Sequence, residues 1–240
     1  MPPADILVRL RGITKDYRSL RPLRIAELDV TRGRSLALVG FDQMMAEVFV
    51  DLITGAILPD SGEIVVFGQP TSAIPDPAGW LVTLDQFGLL TDRAVLVEQF
   101  TVEQNLALPL SVAVEEMSPD VRAQVGELAN EVGLANDLRR QAGVLAPGAR
   151  ARIRLGRAIA LAPKVFVAEH PNATLSPEDA ATLAADIHRI VERRGIASIV
   201  LTADHAFGLE RLVAIRARGQ HGRAVRTRDR RQRAQRGIHT

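Results

Sequence analysis

"SLALVGFDQMMAEVF", residues 35–49, begins as an apolar run of strand type, turns at Gly40 and continues with the apolar spacing of an amphipathic helix. Strand, glycine turn and helix in that order outline a phosphate-binding turn, where backbone N–H groups at a helix start face an anion. Such a turn normally wraps phosphate with several glycines, bridges the β and γ groups with a lysine and holds magnesium with a Ser or Thr hydroxyl. Counted from Gly40, the lysine position holds Ala46, the hydroxyl position Glu47 and the inner glycine positions Gln43 and Met45. The last two side chains hinder the close backbone approach that phosphate requires. Glu47 would also face phosphate directly. At about 4 Å and an effective dielectric near 20, one like-charge pair costs on the order of 4 kcal/mol, roughly a thousandfold in affinity.

The same turn reads in another way. A helix start has unpaired N–H groups and the positive end of a dipole, and Asp42 or Glu47 can supply the anion from within the chain. The expectation is a carboxylate standing in for phosphate and keeping the loop closed.

On either side, strand and helix patterns alternate. "ILVRLRGITKDY" alternates as an antiparallel strand does, "GEIVVFG", "KVFVAEH" and "ASIVLTAD" are buried-strand runs, and "ERLVAIRAR" alternates again. Helices are expected over 47–54, 101–110, 118–132, 149–160, 177–194 and 206–212, from apolar spacing and caps such as "SPED". Strands alternating with helices predict an α/β core with a largely parallel sheet. Between residues 87 and 143 no strand pattern is read, which predicts an inserted helical subdomain.

Composition sets the bounds. With 240 residues, 47% of them hydrophobic, the chain can bury a real core. Having no cysteine, it holds no disulfide framework and no thiolate metal site. The first twenty residues lack the apolar run of a signal peptide, and no stretch approaches about 20 uninterrupted apolar residues. The formal charge of +2 is uneven: residues 216–240 carry nine Arg and one Asp, or +8, which leaves −6 on the rest. That tail, poor in apolar residues, reads as a solvated, disordered extension. Contact with anionic lipid, worth about 1 kcal/mol per Arg near the surface, and salt-sensitive nucleic-acid contact are its functional alternatives.

The order of the pieces carries more than any one of them. "LALVG", then "LPDSGEIVVFG", "LDQFGLL", "TVEQNLALPL", "LAPGARARIRLGRAIALAPKVFVAEHPNATLSPEDA" and "SIVLTAD" follow one another as the blocks of an ATP-binding cassette do. The chain resembles the nucleotide-binding subunit of an ABC transporter over about residues 5–215. That resemblance implies a P-loop NTPase (ABC ATPase) fold of class α/β, with a mixed and parallel sheet core, an antiparallel β region and an inserted helical subdomain. The division it implies is an antiparallel β region with the first part of the core in 1–86, the helical subdomain in 87–143, the second part of the core in 144–215 and the basic tail in 216–240.

Residue by residue, the resemblance implies degenerate nucleotide positions at Tyr17, Gly40, Asp42, Gln43, Met45, Ala46, Glu47, Asp85, Gln86 and Ala203. Tyr17 stands where an aromatic residue stacks on adenine, and Asp85, with Gln86 beside it, where the family's glutamine contacts magnesium. The link "TDRAVLVEQ" after "LL" is longer than the family's. Glu169 stands at the magnesium-linked Asp and His170 at the water-polarising carboxylate; a packed or hydrogen-bonded His is the alternative to a general base. Ala203 takes the place of the switch histidine, followed by Asp204 and His205. In the signature segment Leu145, Ala146, Pro147, Gly148 and Ala149, the serine hydroxyl is replaced by Ala146, and Pro147 lacks an N–H donor.

The reading is a pseudo-ATPase: a non-hydrolysing structural or regulatory subunit, cytoplasmic and peripheral on the inner face of the cell membrane. Its partners would be an integral membrane subunit and a homodimeric copy or a second ABC ATPase subunit. Lipid or lipoprotein export is the implied subgroup. No cofactor or metal is expected, with weak ATP or magnesium binding left open. The alternatives are a weak or partner-dependent ATPase using Glu169 and His170, and a soluble binding module using residues 216–240 on anionic membrane or nucleic acid.

Overall fold

The computed structural model describes residues 5–19, 21–74, 76–91, 93–203 and 213–216. The helix expected over 206–212, the residues Asp204 and His205, and the tail beyond Arg216 with its lipid or nucleic-acid contact lie outside the described residues.

Strands β1 (Ile6–Lys15) and β2 (Leu23–Thr31) pair antiparallel, as the alternation of β1 requires. Strand β3 (Ser35–Val39) then leads through Gly40 into helix α1 (Gln43–Thr54). Strands β4 (Ser61–Val66) and β5 (Gln69–Pro70) complete an antiparallel sheet of order β2-β1-β4-β5. Helix α2 (Pro77–Leu84) follows, started by the Asp76 carboxylate on the Gly79 N–H with a proline in its first turn.

Strand β6 (Phe87–Leu90) comes next, where the sequence shows no strand pattern; it pairs parallel with β7 (Val165–Glu169). Its four residues, one of them Gly88, are too few to display a period. Between them come α3 (Val102–Ala107), shorter than its expected span and opened by a Thr101/Gln104 capping box, then α4 (Pro119–Glu131) and α5 (Pro147–Ile159). Helix α6 (Pro177–Arg194), capped by Ser176 and ended at Gly195, leads to β8 (Ala197–Thr202). With β9 (Val213–Arg216), the parallel sheet has the order β6-β7-β8-β3-β9.

Alternation divides the core in two. On β7, Val165 and Val167 join Leu10, Phe49 and Leu201 between the two sheets. Phe166 and Ala168 point the other way, joining Leu106, Ile153 and Ile190 under the helices. Both faces of the parallel sheet are thus dry, as a doubly covered sheet demands. All its strands run the same way, so β3, β6, β7 and β8 end at one rim, which carries Gly40, Thr91, Glu169 and Ala203.

Candidate functional site

At that rim α1 starts at Gln43, four residues ahead of its expected start at Glu47, because Asp42 closes it. Asp42 is extended (φ −76°, ψ 174°), and its carboxylate accepts from the Met45 N–H at 2.8 Å. Its carbonyl accepts from the Ala46 N–H at 2.9 Å. Of the two carboxylates open to this role, Asp42 fills it. Ala46, in place of the lysine, is fully buried in the core.

Glu47 does something else. The Gln43 side-chain amide donates to Glu47 Oε1 at 3.0 Å and to Glu169 Oε1 at 2.9 Å, using its two hydrogens on two carboxylates. Glu169 ends β7 with its side chain 1% exposed. One turn along α1, Asp51 shares the Glu47 face and binds Arg93 Nη1 at 3.0 Å, while Arg93 Nη2 lies 3.8 Å from Glu169 Oε2. Burial works against the Arg93 charge, but Asp51 first, then Glu169 and Glu47, hold its pKa above the ordinary arginine value. The rim therefore holds three carboxylates, one amide and one guanidinium in contact.

His170 follows Glu169 in a left-handed conformation (φ 44°), uncommon for a side-chain-bearing residue. Its N–H donates to the Leu201 carbonyl at 2.9 Å, and its carbonyl accepts from the Ala173 N–H at 3.0 Å. Its Nε2 is buried and meets no hydrogen-bond partner among the described residues. The Gly40 N–H donates to the carbonyl of Thr202, and Ala203 beyond it is exposed.

Other expected residues are placed elsewhere. Tyr17 is half-buried and packs against the core between the sheets. Asp85 and Gln86 precede β6 and so sit at the opposite rim, since a four-residue strand spans on the order of 10 Å at about 3.3 Å per residue. Gln86 is engaged there: its amide donates to the Val82 carbonyl at 3.2 Å, and its oxygen accepts from Lys164 Nζ at 2.6 Å. The segment that reaches the site from this strand is the one after it, Thr91 and Arg93.

The signature segment forms the start of α5. Leu145 is buried, Ala146 sits at the cap position without a side-chain hydrogen bond, and Pro147 is the first helical residue, with Gly148 and the half-buried Ala149 behind it. A Cβ on Gly148 would stand 2.4 Å from Asp179 Oδ1, so the glycine admits that carboxylate to the helix start. Asp179 is fixed by Ser176, whose hydroxyl donates to it and accepts from its N–H, each at 3.1 Å. A second helix start thus meets an internal anion, favourable for its dipole. Arg93, Asp51 and Asp179 were not legible as site residues; the only local signal was the four-residue spacing of Glu47 and Asp51 on one helix face.

Residues 23–173 match the ABC transporter family. The lipoprotein-releasing system ATP-binding protein LolD of Maricaulis maris is 30% identical over 210 residues, covering 84% of this chain and 90% of that protein. LolD of Anaeromyxobacter dehalogenans is 30% identical over 208 residues, covering 85% and 87%. Among solved structures, cbiO1 from Clostridium perfringens, part of the transporter complex cbiONQ, superposes with a TM-score of 0.75 at 17% identity over 88% of this chain and 84% of its own. The dimeric bacterial cassette MJ0796 gives 0.70 at 20% identity, over 87% and 94%. At those identities the structural likeness shows the fold, an ABC ATPase fold of the P-loop type with parallel and antiparallel sheets.

Proposed function

The chain belongs to the ABC transporter family and corresponds to its nucleotide-binding subunit, and from that premise we propose that it is a non-hydrolysing subunit of such a complex. It serves as a structural or regulatory piece docked on an integral membrane subunit, paired with a second copy or with a competent ATPase subunit. The observation that carries this reading is the Asp42 carboxylate on the Met45 N–H, at a turn where a phosphate would need that donor. The residues present do not fit a nucleoside triphosphate with magnesium: the lysine position is a buried Ala46, the hydroxyl position is Glu47, and Glu169 is already bonded to Gln43.

No described helix is long and apolar enough to cross a membrane, in keeping with a peripheral place on the inner face of the cell membrane. The cargo we infer, lipid or lipoprotein, follows the relatives named for lipoprotein release. A titration with ATP and magnesium tests the core of the proposal. The wild-type chain is expected not to bind at micromolar concentration, whereas Ala46→Lys with Glu47→Ser regains measurable binding. Micromolar binding by the wild type sinks the reading.

The second reading, a weak ATPase, draws on the Nε2 of His170, next to Glu169, which meets no hydrogen-bond partner among the described residues. Phosphate release by the assembled complex that His170→Ala abolishes would put it first.

A further inference from the structure

The segment following β6 is fastened at both ends. At one end Arg93 Nη1 binds Asp51 at 3.0 Å on α1 and Nη2 approaches Glu169 at 3.8 Å on β7. At the other, Glu98 binds Arg150 Nη2 at 2.5 Å on α5, its carbonyl accepts from the Gly143 N–H at 3.0 Å, and the Val95 carbonyl accepts from Arg157 Nη1 at 2.9 Å. The six residues 93–98 therefore bridge the rim of the parallel sheet and the helix that begins at the signature segment.

We propose that Arg93 is the built-in cation of this site: it neutralises the carboxylates of Glu47, Asp51 and Glu169 and thereby straps α5 to α1 and β7 with no nucleotide or metal bound. The proposal rests on the reading of the site as closed to nucleotide, and adds how the emptied site is held together. Three carboxylates converge where the turn supplies no lysine, and Glu169 is almost wholly buried, so an uncompensated charge there would be costly. A guanidinium suits the place because its fork reaches two carboxylates at once and stays protonated at any pH the fold survives. Gln43 supplies two further hydrogen bonds, holding Glu47 and Glu169 together without adding charge. The strap then makes the geometry between the rim and the start of α5 a property of the folded chain itself.

The test uses the full chain and the variants Arg93→Ala, Arg93→Lys and Arg150→Ala, with amide exchange and thermal unfolding with and without millimolar magnesium or manganese chloride. Arg93→Ala is expected to speed exchange at least about tenfold over residues 93–98 and at the start of α5, while Arg93→Lys keeps most of the protection. Arg150→Ala loosens the α5 end and leaves the amides of α1 protected. Divalent cation raises the melting temperature of Arg93→Ala, whose carboxylates have lost the guanidinium, and leaves the wild type unmoved. Unchanged exchange in Arg93→Ala overturns the strap, and an equal metal-induced shift in wild type and variant overturns the built-in cation. These readouts involve no nucleotide, so they stand apart from the ATP titration: tight ATP binding would remove the functional reading even if every exchange result held.

Discussion

Asp42 has one role that a single substitution isolates. It lies in the extended region just before α1, where its carboxylate satisfies an N–H that the helix itself leaves open. Asp42→Ala should cost about 1 kcal/mol, seen as a drop of roughly 2–4 °C in melting temperature for a domain of this size, and Asp42→Asn should restore most of it. A carboxylate at this helix start was legible because capping is local, but the sequence left Asp42 and Glu47 both open for it and placed the helix start at residue 47. Arg93 was not legible. Nothing near it in sequence marks it as a partner of Asp51 or Glu169, and a lone arginine in a polar loop reads as solvated.

Among the elements, β6 shows how a short strand escapes a periodicity reading and shifts a functional assignment with it. The resemblance carried Asp85 and Gln86 to the site; with "FGLL" a strand parallel to β7, they precede it and fall at the opposite rim. The link "TDRAVLVEQ" is then the segment leaving the rim, and its third residue is Arg93. Gly88 is the hinge of this packing, because β6 runs against the end of α5: an added Cβ would meet the Ala158 carbonyl oxygen at 2.2 Å and Pro163 Cγ at 2.7 Å. Backbone on one side leaves nothing flexible to yield. Gly88→Ala should destabilise by about 1–3 kcal/mol, read as a lower urea midpoint with unchanged slope.

At the scale of the molecule, the helices are bound to the parallel sheet by apolar packing and to one another by a partly buried charge cluster. Glu131, at the end of α4, receives Arg193 and Arg194 from the end of α6, and Arg189 donates to its backbone carbonyl at 2.8 Å. Arg194 also reaches the Ile159 carbonyl at 2.8 Å, so a single arginine ties α4, α5 and α6. Burial pushes the Glu131 carboxyl up, but the hydrogen bonds from Arg194 and then Arg193 win and hold it below the usual 4.5. A folded-state pKa below the unfolded one contributes stability that is complete above the unfolded value and lost as pH falls through the folded one. Stability against urea is therefore expected to decline below about pH 4.5 partly through this site. In Glu131→Gln that part of the acid slope should vanish, with lower stability at pH 7, since two arginines then face a neutral amide.

Strand runs, helix caps and the order of blocks were enough to establish the architecture, because hydrophobic period, capping and turn chemistry act over a few neighbouring residues. The missing lysine, hydroxyl and signature serine were visible for the same reason: each is a matter of which side chain stands at a position. What stands in their place was decided by folding. Gln43 meets Glu169 across 126 residues, Arg93 meets Asp51 across 42, and Asp179 enters the start of α5 beside Gly148. Those pairings bring polar and charged groups together across parallel strand ends and crossing helices, a distance relation that no local spacing encodes.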